Sequence, residues 1–108
     1  MTLYEEYVLE REGVQSVSTE HSFMTYAIFG DTCQVKDFFV SKPHRGLSHA
    51  ATLYCELTMI AKKAGCKFLT CSVCPITNGS HESMQLILDA GFRLFGADRN
   101  LVFFRKVL

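Results

Sequence analysis

The sequence predicts an α/β (α+β) fold: a mixed, mostly antiparallel sheet with a central parallel β–α–β crossover, flanked by helices. Three observations predict it. Three consecutive β-type segments occupy residues 14–40, an amphipathic segment at 46–65 separates two apolar strands, and two more strand-like segments complete the sequence. Closely spaced strands pair antiparallel, whereas strands joined by a helical crossover lie parallel. The 108 residues are expected to form a single domain, 1–108, large enough for its own core.

One helix and a three-stranded meander are predicted for the first part of the chain. Residues 2–12 carry apolar side chains on one side and glutamates on the other at helical spacing, and Gly13 ends the segment. Alternating, β-branched residues at 14–19 indicate a strand. Residues 22–30 and 33–40 indicate two more, separated by a glycine-containing turn, so the three strands should pair antiparallel.

A long helix and a buried strand follow. Between 46 and 65, apolar residues recur every three or four positions, lysines occupy the last turn, and Gly65 caps the end. The next strand, 67–73, is apolar almost throughout, which predicts burial on both faces. Because the helix joins strands 33–40 and 67–73, these two strands should be parallel neighbours.

A second helix and a hairpin are predicted for the rest of the chain. Residues 80–89 form a short amphipathic segment, with Ser80 as the expected N-cap and Gly91 as the expected stop. Residues 92–97 and 101–107 then indicate two strands that pair around a turn.

Composition argues against several classes of partner. Eleven basic and eleven acidic residues give a formal net charge of zero. Without a basic stripe, neither nucleic acid nor an anionic membrane surface is expected as the main partner. No apolar run approaches the roughly 18 residues of a membrane helix. The first residues are acidic and amphipathic, unlike a signal peptide, so a cytoplasmic location is expected.

Five cysteines raise the question of a metal site. Cys71 and Cys74 form a C-x-x-C pair, with Cys66 nearby. A tetrahedral zinc site usually needs a second close pair of ligands. The sequence has no second C-x-x-C, and its one suitably spaced histidine pair is His44 and His49. Cysteine at the end of an apolar strand commonly acts as a small hydrophobe, so we expect all five thiols to be reduced and metal-free.

The stretch DFFVSKPHRGLSHA, residues 37–50, passes from a strand into a helix. The first turn of a helix has unpaired backbone N–H groups and partial positive charge, so such a bend suits a phosphate or pyrophosphate. Gly46 would let this ligand approach the backbone closely. An ordinary N-terminal cap, in which Gly46 only makes the bend, is the alternative. The side chains that could add donors or charge are Lys42, Arg45, Ser48 and His49.

The same residues resemble the acetyl-CoA-binding segment of the GNAT family of N-acetyltransferases. The family signature is Gln or Arg, two residues, Gly, one residue, then Gly or Ala, preceded by a strand. Here the segment 45–50 supplies the first and last positions, and Val40 keeps its spacing from Arg45. Ser48 stands where the family has Gly. The resemblance implies the GNAT fold and a pyrophosphate site at this bend.

A second segment, SHESMQLILDAGFRLFG at 80–96, is similar to the family's Asn-x-x-Ser/Ala helix and its following Gly-Phe pair. Ser80 replaces the Asn, and Ser83 and Gly91–Phe92 are in register. The likeness covers roughly residues 22–107, and the order of strands and helices agrees with the family throughout. The family has two helices before the meander and this sequence about one, an abbreviation that resembles short bacteriophage members.

The resemblance implies an acetyl-CoA-dependent N-acetyltransferase. Pantetheine would lie between the two splayed parallel strands, where a backbone N–H would polarise the thioester carbonyl. An amine, on a protein or a small molecule, would attack directly after losing a proton, and Asp37 is the best candidate for the base. An acidic residue at a strand's solvent edge is the alternative for Asp37. The residues implied to bind the cofactor are Phe39, Val40, Arg45, Gly46, Leu47, Ser48, His49, Ala50 and Ser80.

The general acid stays open. The family often has a Tyr four residues before the Gly-Phe pair, where this sequence has Ile87. Ser83, the second catalytic candidate, could protonate the leaving thiolate instead. A GNAT-fold module that has lost its chemistry and serves as a binding or structural protein is therefore the alternative to an enzyme. The other possible proton donors are Cys71, Cys74 and Tyr26.

A homodimer is also predicted. Two aromatic pairs, Phe38–Phe39 and Phe103–Phe104, are expected to leave apolar surface uncovered in so short a domain. Large exposed apolar patches usually mark a binding site for a partner.

Overall fold

The computed structural model describes residues 2–45 and 49–108. Within them the order of helices and strands is the predicted one. The predicted start of the second helix at residue 46 lies outside the described residues. The helices are α1 (Leu3–Glu12), α2 (His49–Lys63) and α3 (Ser80–Asp89), and the strands are β1 (Gln15–Ser18), β2 (Ser22–Phe29), β3 (Thr32–Val40), β4 (Phe68–Val73), β5 (Arg93–Asp98) and β6 (Leu101–Val107).

The described strands form one mixed sheet in the order β1–β2–β3–β4–β6–β5. β3 and β4 run parallel, as predicted for two strands joined by a helical crossover, and the other neighbours are antiparallel. The hairpin of β5 and β6 folds back so that β6 lies against β4, and β5 becomes an edge of the sheet. The predicted fold class is confirmed.

The two faces of the sheet are covered unequally. α2 and α3 lie on one face, the core face, where Ile87 of α3 and residues of α2 are buried with those of the sheet. α1 lies on the opposite face, because Val8 packs with Val14 and Ala27 in a separate small cluster. Ala27 follows the core residue Tyr26 on β2, and successive side chains of a strand point to opposite faces. The largest fully buried side chains are Phe92, Met24, Leu53, Leu57 and Leu69.

The prediction that the fourth strand is buried on both faces is wrong. Leu69 and Cys71 are buried on the core face, whereas Phe68 and Thr70 are half-buried and Ser72 is exposed on the other face. Among the described helices, α1 is the one on this other face, and it packs near β1 and β2. An apolar strand sequence does not reveal whether a second layer is present to cover it.

The prediction that Ser80 caps the third helix is also wrong. The N-cap is Gly79, in the left-handed conformation with φ 81°. The Ser80 hydroxyl instead donates to the Pro75 carbonyl oxygen at 2.7 Å, so it closes the preceding loop. Gly91 lies just past the end of the helix with φ 97°, as its predicted role as a stop requires.

Gly65 ends α2 with φ 85°. Its N–H bonds to the Lys62 carbonyl oxygen, and the Cys66 N–H bonds to that of Ala61. This pair of bonds is the usual way in which a left-handed residue satisfies the last carbonyl groups of a helix. The turn delivers the chain into β4 and so sets the position of that strand.

Replacing Gly65 by alanine is expected to lower the free energy of unfolding by about 1–2 kcal/mol, because a Cβ is strained in the left-handed region. Gly96→Ala is the matched control, since Gly96 lies outside that region and its added methyl would be 3.9 Å from the Phe103 ring. Urea unfolding measures both variants, and equal losses would contradict the account.

No helix among the described residues has the length and apolar character that crossing a membrane requires.

Candidate functional site

A gap opens where the two parallel strands part. Backbone pairing joins β3 to β4 from Thr32 to Gln34 and, among the described residues, goes no further. Immediately beyond, β3 has a bulge at Lys36, where its pairing with β2 shifts by one residue. A bulge bends and twists its strand. It therefore carries β3 away from β4 while β3 stays paired with β2.

The gap contains a cavity of about 210 Å3 between β3, β4 and α3. Its walls combine apolar side chains with uncharged hydroxyl, amide and thiol groups. Lys36 contributes a cation, and no carboxylate of the described residues lines the cavity. Such a lining suits an uncharged chain with a few hydrogen-bonding groups better than a free anion. The main lining residues are Phe38, Tyr54, Cys71, Val73, Ser83 and Ile87.

Tyr54 and Cys71 form a buried polar pair on the cavity wall. Both side chains are buried and line the cavity, and the Tyr54 ring packs edge-on against Phe92 with centroids 5.3 Å apart. Burial raises the pKa of the Cys71 thiol to about 12, and the hydrogen bond from Tyr54 acts in the opposite direction. Burial, and after it the neighbouring Cys71, raises the pKa of Tyr54 above its ordinary value. Both groups therefore keep their protons at neutral pH.

The predicted pyrophosphate bend is described in part. Arg45 is exposed, its Nε donates to the Val40 carbonyl oxygen at 3.0 Å, and its guanidinium lies 5.6 Å from the centre of the Phe39 ring. These contacts hold Arg45 beside the end of β3, next to the gap. Ala50 is buried in the first turn of α2. The predicted contacts outside the described residues are Gly46, Leu47, Ser48 and the side chain of His49.

Two histidines fasten the turn between β3 and α2. The rings of His21 and His44 stack with centroids 3.5 Å apart and an angle of 8° between their planes. The Ser41 hydroxyl lies 2.9 Å from His44 Nδ1, and the Ser41 N–H donates to the His21 carbonyl oxygen. The turn that carries Arg45 is thus anchored to the start of β2.

Asp37, the predicted base, lies beside the cavity but on the other face of the sheet. It pairs in register with Thr25, whose neighbour Met24 belongs to the core face, so Asp37 and Thr25 point to the opposite face. The carboxylate is exposed, and the Thr25 hydroxyl donates to it at a long 3.5 Å. The next residue, Phe38, lines the cavity. A substrate could therefore reach Asp37 from the side away from α2 and α3.

The predicted residues of α3 reach the same cavity. Ser83 and Ser80 both line it, although the Ser80 hydroxyl is already donated to Pro75. Ile87 is buried and lines it too, so an apolar side chain occupies the place where the resemblance implies a Tyr.

Three of the four predicted candidates for the proton donor lie at the cavity, and one does not. Cys71 and Cys74 lie on the cavity wall together with Ser83. Tyr26 is elsewhere, with its hydroxyl bonded to the Gln15 side chain on β1 at 2.9 Å. Tyr54 was missed by sequence reasoning, which treated it as one apolar position of the helix. The available signal was its hydroxyl, because a buried Tyr usually places its polar end on a partner or in a site.

The cysteines make no disulfide, and Cys33, Cys66 and Cys71 are buried. In the part of the chain that the structure describes, no group of three His, Cys, Asp or Glu side chains is placed to hold a metal ion.

No family model and no curated protein sequence matches this chain. The PaiA N-acetyltransferase of Thermoplasma acidophilum, solved in complex with coenzyme A, is 17% identical, with a TM-score of 0.79 over 98% of this chain and 69% of that one. A GNAT family acetyltransferase of Elizabethkingia anophelis with acetyl-CoA bound is 13% identical, with a TM-score of 0.76 over 96% of this chain and 83% of that one.

A third solved structure, the GNAT domain of the S. lividans protein PAT, is 16% identical, with a TM-score of 0.78 over 100% of this chain and 70% of that one. Identities this low establish a shared fold and leave the activity to be argued from the site. The strand order, the parallel pair that parts and the three similar structures lead to one conclusion: this chain has the GNAT fold.

Proposed function

We propose that this protein is an N-acetyltransferase that uses acetyl-CoA and transfers the acetyl group to an amine of a protein or a small molecule. The observation that carries the proposal is the cavity at the parting of β3 and β4. It lies in a fold whose solved examples include complexes with coenzyme A and acetyl-CoA. Its uncharged, partly polar walls suit the pantetheine arm, which carries amides and no charge.

The cofactor would be held from both sides of the gap. The backbone of β3 near Phe39 and Val40 would pair with the pantetheine amides, and one of its N–H groups would stabilise the oxyanion formed at the thioester carbonyl. Arg45 stands at the end of β3, where its charge would favour the pyrophosphate. The remaining predicted cofactor contacts are Gly46, Leu47, Ser48, His49, Ala50 and Ser80.

The two proton transfers would be divided between the two faces of the sheet. Asp37 would take the proton that the amine loses, directly or through water, from the exposed face. As the new N–C bond forms and the C–S bond breaks, Tyr54 would give its hydroxyl proton to the leaving sulfur from the core face. Burial keeps Tyr54 protonated, and the same apolar surroundings raise the proton affinity of a thiolate. Ser83, which also lines the cavity, is the second candidate for this donor.

A second candidate function is a GNAT-fold binding protein that has lost its chemistry. Ile87 supports it, because this buried apolar side chain replaces the hydroxyl expected at its position on the cavity wall. Such a protein would bind the coenzyme and show no transfer.

Calorimetric titration with acetyl-CoA tests the proposal. The wild-type chain is expected to bind with a dissociation constant between about 1 μM and 1 mM. Ser83→Phe is expected to weaken binding at least about tenfold, because the larger side chain would fill much of the cavity; tenfold corresponds to about 1.4 kcal/mol. His81→Phe is the control, since His81 is exposed on the same helix and does not line the cavity.

Two results would decide against the proposal. Absence of binding by the wild-type chain at about 1 mM acetyl-CoA would remove the cofactor and the function with it. Binding without release of free thiol, over a set of peptide N-termini, lysine peptides and polyamines, would favour the binding protein instead.

A further inference from the structure

One half of a sheet face is left open. Opposite the core face, α1 packs near β1 and β2, and none of the described helices covers β4, β6 and β5 on that side. Phe95 is 52% exposed and Val107 is 70% exposed there. Neighbouring apolar side chains with this much exposure are typical of a surface that binds a partner. A groove of about 350 Å3 runs along this surface beside β5. We call this surface the open face, and its residues are Phe68, Arg93, Phe95, Phe103, Arg105 and Val107.

One member of each aromatic pair, Phe38–Phe39 and Phe103–Phe104, lies on the core side: Phe38 packs against the core and Phe104 is buried. Phe39 is 47% exposed on β3, outside the open face. Phe103 instead lies on the open face, where its ring is 6.4 Å from that of Phe95. The uncovered surface therefore comes mainly from the hairpin of β5 and β6.

The open face carries two arginines, Arg93 and Arg105, and the carboxylate on the same side of β5, Asp98, lies at the other end of that strand. Arg93 and Arg105 are direct cross-strand neighbours, an arrangement in which like charges destabilise a sheet. The guanidinium of Arg105 lies over the rings of Phe68 and Phe95, at 4.7 and 5.2 Å from their centres. No carboxylate of residues 2–45 and 49–108 lies within 4.0 Å of either arginine. The surface thus fits a partner that brings both apolar side chains and carboxylates.

Helix α1 of the same chain has this chemistry. Leu3, Tyr4 and Tyr7 are 81%, 64% and 56% exposed, and Val8 is the one residue of the helix that is buried. Apolar and aromatic side chains on the solvent side of a helix, in this number, are unusual for a helix without a partner. The same helix carries a net charge of −3, from Arg11 and four glutamates, Glu5, Glu6, Glu10 and Glu12.

The positions of the two surfaces allow them to meet reciprocally. α1 lies toward one edge of the sheet and the open face lies at the other edge, on the same side. A twofold axis parallel to the strands, over the middle of this side, would place α1 of each copy on the open face of the other. Such a contact closes on itself and forms a dimer instead of a filament.

We propose that this protein forms a homodimer in which the two copies dock their α1 helices reciprocally on each other's open face. The glutamates of each helix would neutralise Arg93 and Arg105 of the partner, and Leu3, Tyr4 and Tyr7 would cover its exposed rings. Neither surface includes a residue of the cavity, but Asp37 of β3 lies on the same side of the sheet, between the two docked helices. The experiment below measures association and not activity, so either proposal can fail without the other.

A charge-exchange experiment tests this arrangement by sedimentation velocity. The wild-type chain is expected to be dimeric at about 100 μM in low salt and to dissociate more as salt is raised. The variant Arg93→Glu/Arg105→Glu and the variant Glu6→Arg/Glu10→Arg should each weaken the dimer at least about tenfold, since each brings like charges together. An equimolar mixture of the two variants should restore the dimer, because both contacts of the mixed pair are then complementary.

Lys62→Glu/Lys63→Glu is the control for the arginine variant, since it makes the same change of net charge on the core-face side and should leave the dimer intact. Circular dichroism of each variant checks that the fold is retained. A monomeric wild-type chain at about 100 μM, a dimer that survives both charge reversals, or a mixture that stays monomeric would each overturn the proposal.

Discussion

Raising the pH from neutral to about 10.5 is expected to lower the free energy of unfolding by about 4 kcal/mol, roughly 2 for each of two buried thiols. Burial raises the pKa of Cys33 to about 12, with Cys66 nearby adding to the effect, and burial also raises that of Cys71 to about 12. The ordinary value is 9.0. Between about pH 9 and about pH 12, the two thiols are ionised in the unfolded chain and still protonated in the folded chain. Their contribution to the free energy of unfolding is therefore fully present below about pH 9 and is lost as the pH rises. Tyr54 contributes in the same direction, since burial raises its pKa too.

Urea unfolding at several pH values measures this decline. Cys33→Ala and Cys71→Ala should each lower stability at pH 7, because each leaves a small void. Each should also remove about half of the decline between neutral pH and about pH 10.5, since one of the two titrating thiols is gone. Cys55→Ala, at an exposed position, should leave the decline unchanged. A double variant of Cys33 and Cys71 that loses stability as steeply as the wild-type chain would refute the assignment.

Replacing Tyr54 by phenylalanine is expected to lower kcat by about 10²- to 10⁴-fold, the usual contribution of a positioned general acid. The affinity for acetyl-CoA should change little, because the ring and its contact with Phe92 are retained and just the hydroxyl is lost. The rate is measured as the release of the coenzyme A thiol, with the amine that the wild-type protein acetylates fastest as the acceptor. Calorimetry gives the affinity. The effect should be smaller with an acyl donor whose leaving group needs no proton.

Tyr26→Phe is the matched control for this prediction. Tyr26 is also buried and hydrogen-bonded, but its hydroxyl donates to Gln15 on β1, away from the cavity. Equal losses of kcat in the two variants would indicate a general effect on the fold. An unchanged rate in Tyr54→Phe, with Ser83→Ala inactive, would move the role of proton donor to Ser83.

Most of the fold could be predicted from local patterns. Alternation marked the strands, three- and four-residue spacing marked the helices, and Gly13, Gly65 and Gly91 ended them as expected. The parallel pairing of β3 and β4 also followed, because a helical crossover leaves little other choice. The role of Ser80 was predicted wrongly because a serine hydroxyl at a helix start can bond either to the helix or to the preceding loop. Only the folded loop brings the Pro75 carbonyl oxygen within reach of it.

The candidate site was predictable in part. The bend at Arg45 and the helix that carries Ser83 could be found from their spacing, and both lie at the gap. The gap itself could not be predicted, because it depends on the bulge at Lys36. That bulge is defined by how β3 pairs with β2, and no residue pattern within β3 indicates it. Tyr54 was missed for a related reason: periodicity shows that it points inward, but not that it meets Cys71 at a cavity.

The sequence by itself determined the order of the elements, the ends of the helices and the parallel pair, because these depend on residues close together along the chain. The tertiary structure decided where β3 leaves β4, that β6 lies between β4 and β5, that Asp37 and Tyr54 stand on opposite faces, and that half of one face stays open. Each of these depends on strand registers and on which layers cover the sheet. Registers and layers are set by contacts between segments far apart in the chain, which no local pattern encodes.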